Sequence, residues 1–116
     1  MEKLVQELKV ASGKSVALDR DGYLKRLDDW SDEVAVLLAE KEGLLLSDAH
    51  WEIIRGLRTF YGRHQLSPAS RALVRFVKQE FGPDKGNSIY LMKLFPGNPA
   101  LKASKIAGLP RPRNCF

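Results

Sequence analysis

The sequence holds one cysteine, two histidines and, after Asp84, no acidic residue at all. A single cysteine excludes an internal disulfide, which fits a reducing compartment. Cys115, His50 and His64 show no paired spacing of the kind that holds zinc, so no metal site is expected. Gly82, Gly86, Gly97 and Gly108 match no phosphate-cradling loop, and no cofactor is expected. No apolar run approaches the roughly 20 residues that a membrane-spanning helix needs, which predicts no membrane association. The opening residues, MEKLVQELKVASGK, bring acids at once and no apolar core before a cleavage site. They predict no secretion signal and a cytoplasmic location.

What is present is an ordinary globular composition. With 116 residues, 44% hydrophobic and 28% charged, the chain is long enough for one domain with one core. Its net charge of +5 is unevenly spread. Residues 1–84 carry 13 Lys or Arg against 14 Asp or Glu, whereas residues 85–116 carry Lys85, Lys93, Lys102, Lys105, Arg111 and Arg113 unopposed. A cationic end favours an acidic partner surface or a phosphate backbone, and charge alone does not separate the two.

The patterning predicts a mainly α fold, a small orthogonal helical bundle with an amino-terminal β-hairpin. The first dozen residues, with Leu4, Val5 and Leu8, form an uncapped and undecided segment. Ser15 to Leu27 reads as the hairpin: Val16 and Leu18 alternate with polar neighbours, Asp21-Gly22 supplies the turn, and Tyr23 opens the return strand. Ser31 caps a helix that places Trp30, Val34, Leu37 and Leu38 on one face and ends at Gly43. A second helix starts at Ser47-Asp48, with His50, Ile53, Ile54, Leu57, Phe60 and Tyr61 as its apolar stripe and Glu52, Arg55, Arg58 and Arg63 opposite. Ser67-Pro68 reads as the cap of a third helix, burying Leu73, Phe76 and Val77 and showing Arg71, Arg75 and Lys78 to solvent. Asn87 caps a fourth helix that stops at Pro96-Gly97, and Asn98-Pro99 opens a fifth that stops at Gly108. His50 is assigned a core or capping role, and the tryptophans a core role.

After Gly108 the chain reads LPRPRNCF. Two prolines fix two φ angles and push their predecessors toward extended geometry, so no helix continues. The chain therefore divides into a helical body, residues 1–108, and an extended mobile arm, residues 109–116, that carries Cys115. Fully stretched at about 3.3 Å per residue, that arm spans on the order of 20 Å. A thiol in an exposed, cation-flanked segment has the surroundings that favour the reactive thiolate, whereas a lone cysteine elsewhere is usually a buried apolar residue. The rival reading is a non-enzymatic nucleic-acid-binding regulator. In it the second and third helices, joined by RHQLSP, form a helix-turn-helix-like core that offers Arg71, Arg75 and Lys78 to DNA.

Several stretches together resemble the DsrC/TusE-like sulfur-relay family, related to the gamma subunit of dissimilatory sulfite reductase. They are DGYL and WSDEVA within residues 21–35, HWEIIRGLRTFY at 50–61, SPASRALVRF at 67–76, and LFPGNPALKASKIAGLPRPRNC at 94–115. The last block is the specific one. The resemblance implies a sulfurtransferase that carries sulfur as a persulfide on Cys115, with a multi-subunit sulfur-donor complex and a tRNA-thiolating enzyme as partners and tRNA reached through that enzyme. Members acting with sulfite reductase have a second arm cysteine where this chain has Ser104. The single cysteine is therefore similar to the TusE branch, which implies relay toward 2-thiolation of the tRNA wobble uridine. Arg111, Arg113 and Lys105 are the candidate partner-docking residues.

Overall fold

A computed structural model of the chain describes residues 6–112. A hairpin of β1 (Gln6–Lys9) and β2 (Ser15–Leu18) leads through a 3-10 turn at Leu27–Asp29 into five helices: α1 (Asp32–Lys41), α2 (Asp48–His64), α3 (Ser70–Phe81), α4 (Ser88–Leu94) and α5 (Pro99–Ile106). The mainly helical expectation holds, with the hairpin at the amino end.

The hairpin differs from the expected one in its partner strand. Ser15–Leu18 pairs backward with Gln6–Lys9, in the register Gln6 with Leu18 and Leu8 with Val16. The undecided first segment is thus a strand, and the expected return strand from Tyr23 reduces to one bridge between Leu18 and Leu24. The reason is local. One carboxylate oxygen of Asp19 accepts from the backbone N–H groups of both Asp21 and Tyr23, closing a turn where a two-stranded ladder would have begun. Leu8, Val16 and Leu18 all point into the core, so the period-two pattern was sound and only its partner was misplaced.

The helix starts follow their side-chain caps. Ser31 Oγ accepts from Val34 N–H, Asn87 Oδ1 from Tyr90 N–H and Asn98 Oδ1 from Leu101 N–H. At α2 the cap is reciprocal: Ser47 Oγ accepts from His50 N–H while His50 Nδ1 accepts from Ser47 N–H. Accepting at Nδ1 leaves the proton on Nε2, which donates to Leu94 O at 2.7 Å. His50 is therefore a capping residue that also ties α2 to the end of α4, with Phe95 edge-on to its ring. The third cap was misassigned. Ala69 occupies the α3 cap position and supplies no side-chain bond, because the Ser67 hydroxyl is turned to the carboxy-terminal segment instead.

The core is built by Leu18, Leu38, Ile53, Ile54, Leu57, Leu73, Leu91, Phe95 and Ile106, all essentially inaccessible. Helix α5 packs against α1, α2, α3 and α4, so the element that precedes the cysteine segment is the hub of the domain. Between α3 and α4 the chain turns so tightly that a Cβ on Gly86 would lie 2.2 Å from Lys78 Cα. Gly86→Ala should cost about 1–3 kcal/mol, since the obstruction is backbone and cannot swing aside. A urea midpoint unchanged from that of the native chain would contradict this.

Candidate functional site: the mount of the cysteine segment

Helix α5 ends in a double hydrogen-bond closure. Gly108 takes φ +74°, its N–H donates to Lys105 O at 3.0 Å, and Leu109 N–H donates to Ser104 O at 2.9 Å. This is the Schellman arrangement, in which a left-handed residue just past the helix satisfies two of the four carbonyls left without partners and turns the chain sharply away. Two others find partners from distant elements. Trp30 Nε1 donates to Ile106 O at 3.0 Å, and Arg58 Nη1 donates to Ala107 O at 2.6 Å. The Arg58 guanidinium also lies 4.1 Å over the Trp30 ring, and burial moves its pKa down from the ordinary arginine value. Arginine starts so far above neutrality that it stays a cation at the negative end of α5.

Beyond Gly108 the backbone remains tied to the body. Leu109 is 2% exposed, the Ser67 hydroxyl donates to Pro110 O at 2.5 Å, and Pro112 is buried. Arg111 reaches Asp21 at 3.0 Å in an exposed pair, and Lys105 reaches Glu42 at 3.2 Å in a pair about four-fifths shielded from solvent. The Lys105 ammonium also lies 5.2 Å from the Tyr23 ring, whose hydroxyl donates to Leu101 O. The expected boundary at Gly108 therefore shifts. Residues 109–112 belong to the mount, which removes four residues from the reach of the expected arm. Cys115 and Arg113, and with them the remainder of that arm, lie outside the described residues.

Of the predicted site residues, Lys105 and Arg111 come together around one depression, shared with Asp21, Tyr23 and Glu42. Both are spoken for by carboxylates of the same chain. Trp30, Arg58 and Ser67 were missed as site residues. Arg58 in particular was read as part of the solvated face of α2, yet it is half-buried against α5. The one signal that pointed to them was Gly108 itself: a helix stop inside an apolar segment demands donors for its last carbonyls, and sequence does not say which residues supply them.

Ser104 occupies the centre of this mount. It is fully buried, and its hydroxyl has no hydrogen-bond partner among the described residues. Leaving a buried hydroxyl unpaired costs about 1–3 kcal/mol, so Ser104→Ala should raise stability by about 1 kcal/mol once lost packing is offset. A lower midpoint in urea would show that the hydroxyl has a partner after all.

The sequence model of the family described as "DsrC like protein" matches residues 10–116. The chain belongs to this DsrC-like family. Among curated relatives, "Sulfurtransferase TusE" of Escherichia coli (strain K12) is 49% identical over 107 residues, covering 92% of this chain and 98% of that protein. Among solved structures, DsrC of Allochromatium vinosum superposes with a TM-score of 0.88 at 43% identity, covering 97% of this chain and 99% of that one. The oxidised gamma subunit of the dissimilatory sulfite reductase of Archaeoglobus fulgidus gives 0.82 at 41% identity, with 96% and 100% covered. The DsrC-like helical fold and the sulfur-relay reading of the sequence thus stand together. The regulator reading finds no support in these relatives. Among the described residues, no helix is long and apolar enough to cross a membrane.

Proposed function

We propose that this DsrC-like chain is a cytoplasmic sulfurtransferase that carries sulfur as a persulfide on Cys115. It takes the sulfur from a multi-subunit donor complex and passes it to an enzyme that thiolates the wobble uridine of certain tRNAs. The observation that carries this reading is the construction of the mount. From Ile106 to Arg111, which is four residues before Cys115, the chain is fixed by a Schellman turn, by two carbonyl bonds from Trp30 and Arg58, by the Ser67 bond to Pro110 and by an ion pair. A relay thiol must be presented to two successive partners from a defined origin, and a fixed root supplies that origin.

The chemistry balances without an oxidant. The Cys115 thiolate attacks the outer sulfur of a donor persulfide, a new S–S bond forms at Cys115, the donor S–S bond breaks, and the donor cysteine leaves as thiolate. The second transfer repeats the step with Cys115 as the leaving thiolate. Ser104 offers no second sulfur, so an intramolecular disulfide does not compete with delivery. Arg113 and Arg111 favour the thiolate electrostatically. The exposed Arg111–Asp21 pair is worth at most about 1 kcal/mol, so a partner carboxylate can take Arg111 over during docking. Lys105, in its shielded pair with Glu42, contributes to docking through the shape of the depression it lines.

The test is the intact mass of the chain after incubation with a persulfide-bearing donor protein. One added sulfur, localised by fragmentation to residue 115 and prevented by prior alkylation of the thiol, is the expected result. A sulfur gain that survives alkylation, or no gain from any donor, overturns the assignment.

A further inference from the structure

The backbone is held to the body as far as Pro112, which is buried, so only Arg113, Asn114 and Cys115 separate the fixed chain from the sulfur. Fully stretched, three residues span about 10 Å. A protein that exchanges sulfur with Cys115 therefore brings its own surface against this chain beside Pro110 and Arg111. A specific interface covers roughly 800 Å² on each partner, a patch about 30 Å across, which reaches well past the root.

Two depressions flank that root, and Arg111 lines both. On one side is the charged depression of Lys105, Glu42 and Asp21. On the other is a groove of about 670 Å³, within the roughly 300–1,000 Å³ of established ligand pockets. Its walls are Tyr61 near the end of α2, Leu66 and Pro68 in the connection to α3, Ala72 on α3 and Pro110 of the root. Among the described residues, Arg111 is the only charged one that lines it.

The local sequence makes this groove a preformed one. Gln65 ends α2 with φ +58°, a left-handed conformation that a non-glycine residue seldom takes, and turns the chain outward. Leu66 is left 54% exposed, whereas Ser67 and Pro68 after it are buried. The Ser67 hydroxyl then ties the connection to the root at Pro110 O, so two walls are locked to each other. The polar side chains of the groove are used within the chain, Ser67 in that bond and Gln65 Nε2 on Gly62 O. Apolar surface is what remains on offer, and its walls need no ordering when a partner arrives.

We propose that this groove is the docking site for an apolar segment of the protein that exchanges sulfur with Cys115, seated on Tyr61, Leu66 and Pro110 with an adjacent carboxylate on Arg111. The inference rests on the carrier reading and adds a contact which that reading leaves unassigned. The short reach brings the exchanging protein to this place, and the lining selects apolar matter. Arg111 is held by Asp21 only in an exposed pair, which a partner carboxylate can replace as the two surfaces meet. A nucleic-acid strand would offer phosphate to Arg111 but leave Leu66 in water.

The experiment compares two sulfur sources on the full chain. Glutathione persulfide reaches the thiol without a docking surface, whereas a persulfide-bearing donor protein has to dock. Intact mass follows both loadings, and the readout is the ratio of the protein rate to the glutathione rate. Leu66→Asp removes the exposed apolar wall, Ala72→Gln fills the groove from α3, and thermal midpoints check that both variants fold. Each should lower the ratio by about tenfold or more, as for loss of a central apolar contact of an interface. Val36→Asp, the same charge at an exposed apolar residue of α1 outside the groove, should leave it as it was. An unchanged ratio in both groove variants overturns the proposal, and so does an equal fall in the Val36 variant. Leu66 and Ala72 methyl resonances that shift on Phe116→Ala, with no partner present, assign the groove to the chain's own end and overturn it likewise. A native chain that takes no sulfur from the protein source sinks the carrier reading itself, and the inference with it.

Discussion

Gly108→Ala is expected to lower the thermal midpoint by on the order of 10–20 °C. Two independent penalties add at this residue. Its φ of +74° lies in the left-handed region, where a Cβ costs roughly 1–2 kcal/mol. The Cβ would also lie 2.3 Å from Trp30 Cδ1 and 2.9 Å from Leu24 Cδ1, contacts that no real side chain tolerates. Overpacking of a close-packed site costs about 1–3 kcal/mol more, and for a domain of this size each kcal/mol moves the midpoint by about 4 °C. Trp30 cannot yield freely, since its indole N–H is bonded to Ile106 O and its face carries Arg58. Relief requires opening the Schellman turn or expelling the tryptophan, and both displace the origin of the cysteine segment. Transfer measured well below the midpoint should therefore fall as well, although residue 108 takes no part in the chemistry. An alanine variant with native stability would mean that the turn at Gly108 is not the fixed root described above.

Cys115→Ser is expected to remove sulfur transfer to background and to leave the fold intact. A serine hydroxyl ionises far outside the physiological range and forms no bond to sulfane sulfur, so the acceptor atom is lost outright, not weakened. The core and the ties before Cys115 are built by other side chains, Leu18, Leu57, Ile106, Trp30, Arg58 and Ser67 among them, and urea and thermal melts of the variant check that they persist. The decisive measurement pairs sulfur uptake, read by mass, with 2-thiouridine in the tRNA of cells that rely on the variant. Both should vanish together. Persulfide formation that persisted in the serine variant would place the carrier atom elsewhere, and the chain has no other thiol.

Much of the scaffold was readable because its determinants are local. Ser31, Ser47, Asn87 and Asn98 each cap the helix that follows them, and the apolar stripe of Ile53, Ile54 and Leu57 is buried as its spacing requires. A cap bonds to a backbone group three residues away, and a stripe depends only on the helical period. The errors fell where the choice lay between competing partners, one of them near in sequence and one remote. Ser15–Leu18 was a strand in either reading, but only the folded chain decides that it pairs with Gln6–Lys9. Ser67 had the chemistry of a cap and was drawn off by the carbonyl of Pro110, 43 residues away.

The same division holds at the site. The sequence by itself determined that one thiol stands beyond a helix-stopping glycine and two prolines, that no second cysteine accompanies it at position 104, and that the charge around it is positive. These are matters of composition and short-range backbone restriction. Only the tertiary structure decided that Trp30 and Arg58 hold the carbonyls at the end of α5, that Arg111 and Lys105 are paired with Asp21 and Glu42, and that the root is fixed through Pro112. Each of those contacts joins residues more than 40 positions apart, and closing such distances takes the packing of α5 against the other helices.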